Sequence, residues 1–348
     1  MKGIVVVTTH AQSVDFALSM DKAEWSPALD ITPFASGLVN TLKLKADRWT
    51  EPVLAAKTGG VGPKLGIAAE LDLRRTIGID LVAAVVDGLV ASGAEPLFLQ
   101  DYITVSKMVP EWLTELRTGT ELGAAQAGCP LLGGGMCEQP SIMSRGELDM
   151  SATAVGIQES EQLWGADLVR PGDVILAMGA TGLHTSGYEL VRHVLVDIAR
   201  MPLEGHVEEF GRTLGEELLE PSRIYAKELL ALRAEAEVRA FAQIGKDGIA
   251  SALARVIPGG LVAQVERGTW TPSPLFALIG QRGKLSRERL EERVNMGIGM
   301  IAVVSRDDVD RALALLTARH VPAWAAGEIV KATETGHRAV LVGDHPRF

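Results

Sequence analysis

Apolar and polar positions alternate along this chain in two periods, and the changes of period mark out its elements. Val53–Ala56 and Asp149–Val155 read as strands. So does Pro96–Val105, where a period of two puts Leu97, Leu99, Asp101 and Ile103 on one face. Between these runs the period changes to that of a helix. Asp80 stands as N-cap of a helix through Ala91, with Asp80, Ala84, Asp87 and Ala91 on one face and Gly88 turned about 100° from Asp87. Pro110 opens a second helix to Ala127. Val169–Asp173 is a turn, after which Val174–Met178 begins another sheet. The helix after His184 carries an apolar stripe of Leu190, Val191, Val194, Leu195 and Ile198, which reads as core. Ile298–Val304, a helix to Arg319 and Ala323–Ile329 form a strand–helix–strand unit, with Ser305 and Asp308 approximating a capping box. The run Ile4–Val7 reads as a first strand, too short for the core of a signal peptide.

At 348 residues the chain has room for two domains, which the pattern divides at 1–165 and 166–348. Hydrophobic residues make up 47% and charged residues 22%, a globular balance, and no apolar run is long enough to span a membrane. A net charge of −10 disfavours nucleic acid and anionic membranes as partners, leaving room for a small phosphorylated ligand in a local basic pocket. The two cysteines, Cys129 and Cys137, fit a reducing compartment, so the expected location is the cytoplasm. Neither zinc-ligand spacing nor a Gly-x-Ser-x-Gly nucleophile elbow is present.

Residues 58–65 read Thr-Gly-Gly-Val-Gly-Pro-Lys-Leu directly after a strand. Glycines let a backbone turn its N–H groups toward an anion, and a lysine adds a compact positive charge. This suits phosphate, although the P-loop spacing is absent and a plain glycine loop is the alternative.

Further runs continue the pattern in order: Thr76–Ala83 (TIGIDLVA), Gly93–Phe98 (GAEPLF), Gln100-Asp101-Tyr102 and Gly133–Pro140 (GGGMCEQP). His184–Tyr188 (HTSGY), Pro221–Tyr225 (PSRIY), Asn295–Met300 (NMGIGM) and Gly327-Glu328-Ile329 follow. Together they resemble the phosphoribosylformylglycinamidine cyclo-ligases, or aminoimidazole ribonucleotide synthetases, from about residue 50 to 330. The resemblance implies a two-domain α/β (α+β) synthetase-like fold, with an N-terminal dimerising domain and a C-terminal α/β domain. It also implies C–N bond formation by ring closure on an amide activated by ATP, with Mg2+ bound to the nucleotide. A homodimer is expected, or a heterodimer with an active paralogue.

Carried over residue by residue, the resemblance places Thr58, Gly60, Gly62, Lys64, Asp80 and Gly134 on the nucleotide or phosphate side. Asp101, His184 and Glu138 are the catalytic candidates. Asp101 reads as a metal or substrate ligand or as the partner of a basic neighbour, Asp80 equally as a helix cap. Lys64 is a phosphate contact or a surface lysine, and His184 an anion contact before a helix or a structural histidine. Asn295 and Gly297 shape the substrate side or a tight turn. The departures are as specific. Acids that handle magnesium in the family are Gly59, Gly88 and Gly135 here, and a threonine of the turn is Pro63. Asp87, Asp101 and Glu138 are the replacement metal ligands to consider. Two readings follow: a divergent cyclo-ligase acting on a phosphorylated or related small molecule, and a non-catalytic or ATP-independent relative that binds ligand or dimerises.

Overall fold

The computed structural model describes residues 29–30, 42–163, 166–332, 336 and 338–348. The strand expected at Ile4–Val7 lies outside them. The chain forms two compact units, one of Met1–Leu163 with Ile224–Lys227, the other of Trp164–Arg223 with Glu228–Phe348. The four residues 224–227 therefore pack with the first unit, although they fall within 166–348.

In the first unit, β1 (Pro52–Gly60), α1 (Lys64–Glu70), α2 (Arg75–Val82), β2 (Glu95–Val105), α3 (Pro110–Ala127), β3 (Leu131–Glu138) and β4 (Leu148–Glu159) follow in order. The sheet runs β1-β4-β2-β3, antiparallel except for the β2–β3 pair. On β2 the expected alternation is present: Leu97, Leu99, Asp101 and Ile103 are buried, while Gln100 and Tyr102 are exposed. One face of the sheet thus looks inward to the helices. The other carries Leu54, 65% exposed, and Tyr102, 47% exposed.

Asp80 does not cap a helix. It sits inside α2, whose N-cap is Arg74, and the chain then continues through a wider π-type turn at Ala83–Asp87 and a last turn at Gly88–Val90. That wider turn breaks the 3.6-residue period, so the expected shared face does not hold: Asp80 and Asp87 are buried but Ala84 and Ala91 only partly so. The cause of the close crossing of α2 and α3 is glycine. A Cβ on Gly78 would lie 2.1 Å from the Thr120 nitrogen, and one on Gly119 would lie 1.8 Å from the Arg75 carbonyl oxygen. α3 begins at Pro110 as expected and ends on Gly128, which takes the left-handed conformation (φ 66°). Burying Leu81, Val82, Val85, Val86 and Leu89 stabilises this layer by about 1.5–3 kcal/mol per large side chain.

The second unit is built on β5 (Val174–Gly179), β6 (Val238–Gln243), β7 (Leu261–Glu266), β8 (Ile298–Val304), β9 (Ala323–Lys331) and β10 (Ala339–Val342). The order is β6-β8-β5-β9-β7-β10, antiparallel except for β7–β10. Every residue of β5 and β8 is buried, which is why both read as unbroken apolar runs. The helix after His184, α4 (Tyr188–Val191), widens into a π-type segment at Arg192–Ile198. The widened turn carries Ile198 out of the expected stripe, to 57% exposure. Ser305 caps nothing through its side chain; a short 3-10 turn at Arg306–Asp308 precedes α6 (Val309–Ala318), and Asp308 accepts instead from the Glu237 backbone N–H. The capping box that does form is Thr213 with Glu216 at the start of α5 (Leu214–Leu218), a Thr-x-x-Glu signature visible in the sequence.

Candidate functional site

The glycine-rich segment divides between strand and turn. Thr58, Gly59 and Gly60 complete β1, and only Val61–Pro63 turn before Lys64 opens α1. The Thr58 hydroxyl lies 2.8 Å from that of Thr153 on the neighbouring strand. Gly60 packs closely, since a Cβ there would be 2.9 Å from the Met150 carbonyl oxygen. Gly62 takes a left-handed φ of 68°, and no described residue lies within 4 Å of its would-be Cβ.

Lys64 is not a surface lysine. Its side chain is fully buried, and Nζ lies 2.9 and 2.8 Å from the two carboxylate oxygens of Asp80, itself fully buried. The ammonium expected to meet a phosphate is inside the fold, where a charge is tolerated only with such a partner. Lys64 and Asp80 thus join the start of α1 to the middle of α2 and fix the turn from beneath.

Strand register sorts the remaining candidates into two rows. Gly59, Ala152, Asp101 and Gly134 lie side by side across the four strands, and Gly60, Ser151, Tyr102 and Gly135 form the next row. Adjacent rows point to opposite faces. The first row faces the helices: a Cβ on Gly59 would touch Val85 at 3.4 Å, and one on Gly134 would overlap the Asp101 carboxylate at 1.7 Å. The second row faces outward, where the Tyr102 ring lies 2.9 Å from a Cβ placed on Gly135.

Asp101 is 5% exposed, and its Oδ2 has no hydrogen-bond partner among the described residues. Burial pushes its carboxyl up to about 6, with Arg117 opposing the rise and Glu121 adding to it. It is sheltered beneath the sheet, within electrostatic reach of Arg117 on α3. Asp87 is buried too, and its Oδ1 accepts from the Tyr225 N–H at 2.8 Å, tying residues 224–227 to the first unit. Glu138 accepts from the Met108 N–H at 2.7 Å and so closes the loop after β2.

The acidic residues to which the family's magnesium would be assigned are spread through the first unit and do not cluster among the described residues. Of the candidate replacement ligands, Asp87 accepts from the Tyr225 N–H, and Asp101 is buried with its Oδ2 unpartnered among the described residues. Gly59 and Gly135 stand three strands apart, about 14 Å at ordinary strand spacing, and on opposite faces. Among the described residues, no three or more His, Cys, Asp or Glu side chains come together as a metal site.

In the second unit, His184 takes a left-handed φ of 59° and is buried. Its Nε2 accepts from the backbone N–H of Thr181 (3.2 Å) and more weakly of Arg223 (3.4 Å), so the ring is an acceptor at that atom. Nε2 is thereby a tie within its own loop, and in the neutral ring the N–H sits on Nδ1. Asn295 does the same from the other side, donating to the Gly182 carbonyl at 2.9 Å and accepting from the Gly297 N–H at 3.0 Å. With Gly297 at φ 90°, the Asn295–Gly297 segment is a tight turn. Residue types alone did not single out Arg117, Glu121, Tyr102 or Val85 as neighbours of the site. The one local signal was a charged Arg117–Glu121 pair, spaced i, i+4, on the otherwise apolar face of α3.

Residues 45–158 match the family model described as AIR synthase related protein, N-terminal domain, and residues 170–339 match the C-terminal domain of the same family. The chain is 39% identical over 293 residues to a phosphoribosylformylglycinamidine cyclo-ligase of Myxococcus xanthus, covering 84% of this chain and 85% of that one. To the protein of the same name in Carboxydothermus hydrogenoformans it is 36% identical over 345 residues, covering 97% and 99%. Among solved structures it resembles thiamine-monophosphate kinase from Stenotrophomonas maltophilia, with a TM-score of 0.63 at 18% identity over 96% of this chain and 99% of that one. The hydrogenase maturation protein HypE, solved in complex with ATP, gives 0.62 at 17% identity over 89% and 86%. Those two likenesses establish the fold alone.

Proposed function

Because this chain belongs to the AIR synthase related protein family, we propose that it recognises a small phosphorylated amide-type substrate and closes a ring on it, as a cyclo-ligase does. In that reaction class an amine within the substrate attacks the amide carbon. A C–N bond forms and the C–O bond breaks, the oxygen leaving as phosphate when ATP supplies the phosphoryl group. The observation that carries the reading is the 39% identity with a cyclo-ligase over 293 residues, which spans both domains.

The chain's own residues support the binding half of this chemistry. No described residue crowds the turn at Gly62, and the Lys64–Asp80 pair holds it from below. Lys64, Asp80 and Gly62 are positioning residues in this reading, as are His184 and Asn295 for the loop at 181–187. A fixed backbone lowers the cost of ordering a ligand, which is the general benefit of preorganisation.

The first unit also offers a surface for a second copy. Leu54 and Tyr102 stand exposed on the outer face of a four-stranded sheet, and pairing two such faces would remove them from water. A homodimer is the proposed assembly, and a heterodimer with an active paralogue is the variant of it. A second reading, that the chain binds ligand without catalysis, is favoured by glycine at 59, 88 and 135. Calorimetric titration with formylglycinamidine ribonucleotide, alongside ADP release with ATP present, separates them. Binding with substrate-dependent ADP release supports the enzyme; binding without it supports the second reading; no binding refutes both.

A further inference from the structure

We infer that Arg223 meets the phosphate of the substrate and so gives the second unit a preference for a phosphorylated ligand. This role rests on the cyclo-ligase reading for the substrate class. The lysine expected to meet a phosphate, Lys64, is paired with Asp80 inside the fold, which leaves that task to another cation. Arg223 stands in the Pro221–Tyr225 run and is half-buried. Its backbone is held: the N–H donates to His184 Nε2 at 3.4 Å, and two residues earlier the Pro221 carbonyl accepts from the Thr181 hydroxyl at 2.6 Å. Its guanidinium is held far less. Nη1 makes a long contact of 3.5 Å to the His320 carbonyl, and Nε is buried with no hydrogen-bond partner among the described residues. Arg74, Arg117, Arg239 and Arg287 also carry buried guanidinium nitrogens, yet each faces a carboxylate, of Asp72, Glu121, Asp173 and Glu291 in turn. Arg223 pairs with no carboxylate among the described residues.

A guanidinium with donors this incompletely used is suited to take an acceptor from a ligand, since a buried N–H left unmatched costs free energy. The surroundings select an anion. Glu220, the acid nearest in sequence, is turned to Arg212, and Arg319 stands exposed on the turn that carries the His320 carbonyl. The loops at 180–187, 295–297 and 320–322 meet at the end of β5, where the Gly179 N–H donates to Pro322 and the Ala180 N–H to Gly297, both at 2.8 Å. The backbone around Arg223 is thus fixed, which lowers the cost of ordering a ligand. An arginine offers its N–H groups in a planar fork that fits two oxygens of one phosphate. One such cation suits a phosphomonoester, whereas a triphosphate needs several charges to be held and to react. His184 is then a positioning residue for Arg223, because it fixes the backbone from which the guanidinium extends.

Calorimetric titration of the full-length protein, wild type and Arg223→Gln, with formylglycinamidine ribonucleotide and with its dephosphorylated ribonucleoside tests this role. The wild type should bind the ribonucleotide more tightly than the ribonucleoside. Arg223→Gln should weaken binding of the ribonucleotide by about 10–100-fold, the worth of one charge-assisted hydrogen bond. It should leave the ribonucleoside affinity and the melting temperature unchanged. Arg223→Lys, which keeps the charge without the fork, should recover part of the loss. Loss confined to the phosphorylated ligand supports the role. Equal loss on both ligands, no loss, or a lowered melting temperature overturns it and leaves the cyclo-ligase reading standing. A wild type that binds the two ligands equally also overturns it, and one that binds neither overturns it together with the cyclo-ligase reading.

Discussion

Replacing Asp101 by Asn should remove a pH-dependent component of stability. The carboxyl is buried, its Oδ2 lacks a hydrogen-bond partner among the described residues, and burial raises its pKa from 3.8 to about 6. A group whose folded pKa exceeds its unfolded value binds protons more tightly in the fold. Its stabilising contribution is therefore full below the unfolded pKa and is lost as pH rises through about 6. At 1.36 kcal/mol per pKa unit the whole span is about 3 kcal/mol. Nearly half of it, about 1.4 kcal/mol, falls between about pH 5 and about pH 8. Asn keeps the shape and does not titrate, so the variant lacks this slope. Urea unfolding of both proteins across that pH range, followed by tryptophan fluorescence, measures the difference in unfolding free energy at each pH. The variant should gain on the wild type steadily as pH rises. A difference that is flat with pH would refute the buried, raised carboxyl. Comparing slopes also cancels any fixed cost of fitting the Asn amide.

Other substitutions test other parts of the structure. Lys64→Ala should cost about 3–5 kcal/mol in urea unfolding, because it strands a buried Asp80 charge; the paired Lys64→Met/Asp80→Leu change should cost clearly less, and equal costs would mean the pair is not buried. Gly134→Ala should destabilise by about 1–3 kcal/mol through overlap with the Asp101 carboxylate. In the Asp101→Ala background that penalty should shrink, and a double-mutant cycle without coupling would contradict the register of β2 and β3. Leu54→Arg should shift light-scattering mass from dimer toward monomer while leaving the melting temperature of the first unit nearly unchanged; an unaltered dimer would remove this sheet face from the interface.

Some features were legible in the sequence because they depend on neighbours a few residues away. The β2 alternation, the Pro110 start of α3 and the buried runs β5 and β8 all follow from local period and propensity. The errors share a local cause as well. Asp80 resembles an N-cap, yet the helix begins five residues earlier at Arg75, and the wider turn at Ala83–Asp87 leaves no mark in an apolar pattern. Ser305 with Asp308 satisfies the capping spacing, but Asp308 is drawn to Glu237, far away in the chain. At the site, residue types gave the glycine turn and the missing acids, while the orientation of each remaining acid stayed hidden.

The sequence by itself determined the elements, the family and the absence of carboxylates at 59, 88 and 135, since all of these reside in residue identity and short-range spacing. Only the tertiary structure decided what each polar group faces. Lys64 meets Asp80 across 16 residues, and Asp87 meets the Tyr225 N–H across 138. Gly59 and Gly135 fall on opposite sides of one sheet because three strand pairings set their relative register. A buried charge takes its meaning from its partner, and that partner is chosen by packing between segments whose separation along the chain carries no periodic trace.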